Sequence, residues 1–147
     1  MRKRCVLGTI GVGLLAMLGF ITACGGGTTQ DVNVGLKEWS ITPSAVQANA
    51  GKITFVAKNE GTVPHELMVV RTDLPVDALP VVDGKVNEDR VNIEDEIEPF
   101  GAGTTERKTV SLKSGRYVLI CNIVERIPGQ PVQSHYENGM RVAFTVN

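Results

Sequence analysis

The chain holds two histidines, His65 and His135. Cys121 lies between them, and Met140 follows His135 by five residues. Two imidazoles, one thiolate and a weak axial thioether are the donor set of a mononuclear electron-transfer copper site. Such a set is a compromise. Cu(I) prefers soft sulfur and few ligands, Cu(II) prefers nitrogen and a tetragonal arrangement, and a trigonal plane of two nitrogens and one sulfur serves both. Each residue alone has a plainer reading. A histidine after Pro64 suits a surface, a single cysteine suits a core as a small hydrophobe, and a methionine opening a strand is ordinary core. The joint order, His then Cys, His and Met gathered near the C-terminus, is what points to a metal.

Such residues need a rigid scaffold, and the sequence reads as all-β. Asp31–Trp39 alternates, with Val32, Val34 and Leu36 on one face. Lys52–Lys58 sets Ile53, Phe55 and Ala57 against Thr54 and Val56. Glu66–Arg71 is a short apolar run, Thr105–Leu112 and Arg116–Ile123 make two further strands, and Met140–Val146 places Met140, Val142, Phe144 and Val146 on one face. Turn signals separate them at Ala50-Gly51, Asn59-Glu60-Gly61, Lys113-Ser114-Gly115 and Asn138-Gly139. Several short strands at this spacing predict a sandwich or barrel. Cys121 ends the apolar run Tyr117–Ile120, His135 and Met140 flank the turn into the last strand, and His65 comes from elsewhere in the fold.

Residues 72–104 break the rhythm. Pro75, Pro80 and Pro99 interrupt the segment, and seven acids between Asp83 and Glu98 face only Lys85 and Arg90. This predicts a long acidic connection on the surface, with a helical turn around Val76–Leu79. It reads either as a solvated excursion or as a patch whose charge steers a basic redox partner.

The N-terminus reads as an export signal. Arg2, Lys3 and Arg4 precede the uncharged apolar stretch Val6–Ile21. Ile21-Thr22-Ala23-Cys24 then resembles the lipobox of bacterial lipoproteins, which implies cleavage after residue 23 and acylation of Cys24. An uncleaved membrane anchor is the alternative. Either way the folded part, residues 31–147, is expected outside the cytoplasm and held at the cell membrane, with residues 24–30 as a flexible tether. Removal of residues 1–23 takes Cys5 and three basic residues, so the formal net charge falls from −1 to −4. An acidic domain of about 120 residues argues against nucleic acid as partner and for a single core. With Cys24 acylated, Cys121 is the only thiol left. A lone thiol in an oxidising compartment calls for burial or coordination.

His65, Cys121, His135 and Met140, with Gly115–Cys121 leading into a loop that Gly139-Met140 closes, resemble the ligand pattern of the cupredoxins. The resemblance spans Asp31–Asn147. It implies a Greek-key β-sandwich and one copper cycling between Cu(I) and Cu(II), with electrons passed between protein redox partners. In that pattern His65 and His135 bind through imidazole nitrogen, Cys121 as thiolate and Met140 axially. Two departures stand out. Thirteen residues separate Cys121 from His135, where small cupredoxins have only a few. Glu66 follows the first histidine, where many cupredoxins have an asparagine that ties two ligand loops together, a kind of contact that orients ligands and tunes the metal.

Other readings use fewer of these residues. A copper carrier or buffer would use the same donors, and a metal-free binding module would use none. Zinc accepts Cys and His but makes poor use of a thioether. A Cys121–His135 nucleophilic pair would leave His65 and Met140 without a role. Copper oxidase or nitrite chemistry needs further histidines or a second cysteine, so neither an enzyme nor a small-molecule substrate is expected.

Overall fold

Alternation builds the first sheet. In the computed structural model, which describes residues 29–147, β1 (Gln30–Lys37) turns Val32, Val34 and Leu36 inward and leaves their neighbours toward solvent. The expected signal, Cys24 and the tether up to residue 28 lie outside the described residues. β1 starts at Gln30, one residue before the expected boundary, where Gln30 pairs with Ile53 and its side-chain amide exchanges hydrogen bonds with the backbone of Asn49. It pairs antiparallel with β2 (Ser40–Pro43) and parallel with β4 (Gly51–Asn59), while β3 (Gln47–Ala48) joins the other sheet. β4 carries Ile53, Phe55 and Ala57 inward and pairs with β9 (Thr105–Leu112).

The second sheet runs in the order β3, β13 (Arg141–Val146), β10 (Gly115–Ile120), β5 (His65–Arg71), β8 (Asn92–Phe100). Leu67, Val69, Tyr117, Leu119 and Phe144 meet the first sheet in one core. Phe55 and Phe144 cross it edge to face with centroids 5.5 Å apart, and removal of each ring from water contributes about 1.5–3 kcal/mol. This is the two-sheet, all-β sandwich expected.

The outer face of β5 and β10 is also buried. Met68, Val70, Val118 and Ile120 pack beneath Leu79, Val86 and Tyr136. Burial on both faces explains why Leu67–Val70 and Tyr117–Cys121 read as unbroken apolar runs rather than alternation.

The cover over that face is the acidic connection, and here the sequence reading needs correction. Residues 72–104 are not a solvated excursion. They hold a short hairpin, β6 (Val81–Val82) with β7 (Lys85–Val86), a 3-10 turn at Glu88–Arg90, and the nine-residue β8. No helix forms at Val76–Leu79. A single turn there is closed by Ala78 N–H donating to Pro75 O, and the Tyr136 hydroxyl fastens it, donating to Val76 O and accepting from Leu79 N–H. β8 escapes a propensity reading because acids and Pro99 are poor strand formers. On an edge strand they suit, since charge there blocks pairing with other chains.

Three elements remain: β11 (Val124–Glu125), β12 (Gln133–Ser134) and the four-residue α1 (His135–Asn138). Ser134 caps α1 by accepting from Glu137 N–H, and Gly139 ends it at φ +128°. A Cβ at position 139 would lie 2.9 Å from the Trp39 carbonyl oxygen. Gly139→Ala is therefore expected to cost about 2 kcal/mol in strain, read as a lowered midpoint of denaturant unfolding. An unchanged midpoint would contradict this account of the turn.

Candidate metal centre

Three donors converge where the sandwich closes at one end. His65 opens β5, Cys121 follows the last residue of β10, and His135 opens α1. All three side chains are fully buried. His65 Nδ1 lies 3.2 Å from His135 Nδ1, His135 Nδ1 lies 3.2 Å from Cys121 Sγ, and His65 Nδ1 lies 3.9 Å from the same sulfur. A point equidistant from the three atoms lies about 2.0 Å from each, close to ordinary metal–imidazole bonds and slightly short of metal–thiolate ones. The donor set and its spacing thus fit one borderline-soft ion such as copper.

Met140 is drawn to the same place through its backbone. Its N–H donates to His135 O at 2.9 Å, its carbonyl accepts from Cys121 N–H at 3.1 Å, and its side chain is fully buried.

The thirteen-residue interval between Cys121 and His135 costs the site no order, because it folds on itself. β11 and β12 pair as Val124 with Ser134 and Glu125 with Gln133, and His135 N–H donates to Ile123 O. The β6–β7 hairpin then holds the loop from outside. Arg126 donates to Asp83 O, the Ser134 hydroxyl donates to Gly84 O, and buried Asn122 accepts from Val86 N–H while donating to Val86 O and Glu88 Oε1.

Glu66 supplies the tie that an asparagine makes in the resembled pattern. Its carboxylate accepts from Asn122 N–H at 2.7 Å, and its own N–H points at Cys121 Sγ at 3.5 Å. One residue therefore bonds to both Cys121 and its successor. Burial pushes the Glu66 carboxyl up to about 7, against the opposing Asn122 N–H.

No protein-family model matches the chain, and no curated relative matches it in sequence. Solved structures do. The dithionite-reduced auracyanin of the photosynthetic bacterium Roseiflexus castenholzii is 25% identical, covering 82% of this chain and 97% of that one, with a TM-score of 0.52. Auracyanin A, a "blue" copper protein of the green thermophilic photosynthetic bacterium Chloroflexus aurantiacus, is 21% identical over 82% and 100% of the two chains, with a TM-score of 0.55. Auracyanin B is 18% identical over 81% and 88%, with a TM-score of 0.53. The chain has the cupredoxin fold.

Within that cupredoxin frame, the electrostatics around the donors follow from burial. Desolvation lowers the pKa of both histidines, which favours the neutral imidazoles that can ligate a metal. It pushes the Cys121 thiol up to about 12, opposed only by the N–H groups of Glu66 and Ile123. A bound cation must displace that proton, so metal binding and proton release are linked here.

Two carboxylates and one aromatic ring complete the surroundings, and sequence reasoning passes over all three. Glu38 Oε1 lies 3.5 Å from His65 Nε2, and Glu125 Oε1 lies 3.7 Å from His135 Nε2. Burial raises the Glu38 carboxyl, but N–H donors from Thr62, its own backbone and Val63, together with His65, more than offset this and hold it at about 2. Trp39 packs edge-on against His135, centroids 5.1 Å apart. No local signal marks Glu38-Trp39 or Glu125, since a glutamate just past a strand and one in a two-residue strand are ordinary surface residues.

Proposed function

We propose that this protein is an extracytoplasmic type 1 copper protein, tethered to the cell membrane by acylated Cys24, that carries single electrons between protein redox partners. His65, Cys121, His135 and Met140 are its copper ligands. The observation that carries the reading is the convergence of two Nδ1 atoms and one thiol sulfur, each within 4 Å of the others, in a fully buried site. Auracyanin A, which shares the fold, is a "blue" copper protein by name, which supports copper at this centre.

Burial of all four residues favours an electron carrier over a copper carrier. Metal hand-over requires that an incoming ligand reach the ion, and an enzyme requires that a substrate do so. Electron transfer needs only proximity through packed atoms, which the Trp39–His135 contact offers. A rigid, doubly packed sheet also limits rearrangement when the charge on copper changes.

The test is addition of Cu(II) to the purified protein, followed by visible absorption. An intense thiolate-to-copper band saturating at one equivalent, bleached by ascorbate and restored by reoxidation, is expected. Weak colour, or copper lost on reduction, would sink the electron-carrier reading in favour of copper handling. The membrane half of the proposal rests on the export signal and the lipobox-like residues. Cys24→Ala is expected to abolish incorporation of a radiolabelled fatty acid into the protein, and labelling that persisted in the variant would count against acylation of Cys24.

A further inference from the structure

Both imidazoles turn Nδ1 toward the shared centre, which leaves Nε2 to carry the ring proton. Both Nε2 atoms are completely buried and lack a hydrogen-bond partner among the described residues. A buried N–H without an acceptor is costly, and a carboxylate stands within 4 Å of each, Glu38 behind His65 at 3.5 Å and Glu125 behind His135 at 3.7 Å. We infer that Glu38 and Glu125 are positioning residues for the two imidazoles, and that their paired negative charges bias the centre toward its oxidised form. This rests on the copper reading proposed above.

The geometry around Glu38 is built for that position. Its Oε1 accepts from Thr62 N–H at 2.7 Å and Val63 N–H at 2.9 Å, which aims the carboxylate at His65. A Cβ on Gly61 would lie 2.6 Å from the same oxygen, so glycine there leaves the carboxylate its room. Trp39, next in the chain, braces His135. One dipeptide in the turn after β1 therefore serves both ligands.

The charge argument is simple. Two neutral imidazoles and one thiolate leave a net +1 on a Cu(II) centre and zero on a Cu(I) centre. Two partly buried carboxylates, one ring away, stabilise the more positive state. A carboxylate behind an imidazole also fixes its tautomer and raises its basicity. Reduction moves one electron from the donor onto copper and requires no proton.

The test is a potentiometric titration of the copper-loaded full chain, with absorption as readout. Glu38→Gln keeps an oxygen for Thr62 and Val63 while removing the charge, and Glu125→Gln does the same behind His135. Each is expected to keep the visible band and to change the Cu(I)-to-Cu(II) affinity ratio at least tenfold toward Cu(I). For a one-electron couple that is a rise of about 59 mV in midpoint. Glu125→Asp, which keeps the charge, is expected to shift by less than half as much. Glu125 makes no side-chain hydrogen bond among the described residues, so its variant remains decisive even where Glu38→Gln fails to fold. Neutral variants that keep both the band and the original midpoint would overturn the inference alone. An unsubstituted protein without the band would overturn the copper reading itself.

Discussion

Cys121→Ser is expected to abolish the intense visible band of the copper-loaded protein and to weaken copper binding by more than about 100-fold, beyond the loss seen when only an outer partner of a metal ligand is removed. The thiolate is the sole anionic donor among the three converging atoms, and it faces both Nδ1 atoms. A hydroxyl in the same buried position holds its proton far more tightly than a thiol that burial has already pushed up to about 12. Serine therefore offers a neutral, hard oxygen where a soft anion is needed. Met140→Leu is the informative contrast. It conserves volume in a fully buried position and costs less than about 1.5 kcal/mol, and the band is expected to persist because the thioether is the weak axial donor. Absorption and a chelator competition measure both variants. A serine variant that kept the band would mean that another group is the anionic ligand.

Asn122→Ala is expected to cost about 3 kcal/mol in unfolding free energy. The Asn122 side chain sits fully buried and accepts from Val86 N–H at 2.6 Å while donating to Val86 O at 3.0 Å and Glu88 Oε1 at 3.1 Å. Its loss strands a buried backbone donor and acceptor, at about 1–3 kcal/mol each. It also frees the β6–β7 hairpin from the residue next to Cys121. Copper is therefore expected to leave the variant faster. Denaturant midpoints and the rate of copper transfer to a chelator read the two effects. A loss below about 1 kcal/mol would mean that the hairpin is not what holds the ligand loop.

These two residues mark how far the sequence could be read. Cys121 was legible because its chemistry is rare, with two histidines in the chain and one cysteine between them leaving few other combinations. The strands carrying it were legible where apolar residues alternate, as in β1, β4 and β13, and the long run Tyr117–Ile120 was legible as a strand though not as one buried on both sides. Asn122 was not legible at all. An asparagine after a cysteine carries no periodic or ligand signal, and its role exists only because Val86 comes to lie against it from 36 residues away.

The acidic connection teaches the same lesson. Its charges pointed to solvent, and its prolines to a loop. Both are local tendencies worth fractions of a kcal/mol per residue, and the burial of Leu79, Val86 and Ile97 outweighs them. Acids that read as a loose excursion turn out to lie on an edge strand and on a cover over the second sheet.

Donor identity and strand alternation are properties of the residues themselves, so the sequence by itself determined the all-β class and named His65, Cys121, His135 and Met140 as candidate ligands. Which ring nitrogens face inward, which carboxylates stand behind them, and how a thirteen-residue loop closes tightly enough to bring Cys121 to His135 were decided only by the tertiary structure. Each of these depends on atoms distant in sequence and within 4 Å in space, and no local pattern encodes such a meeting.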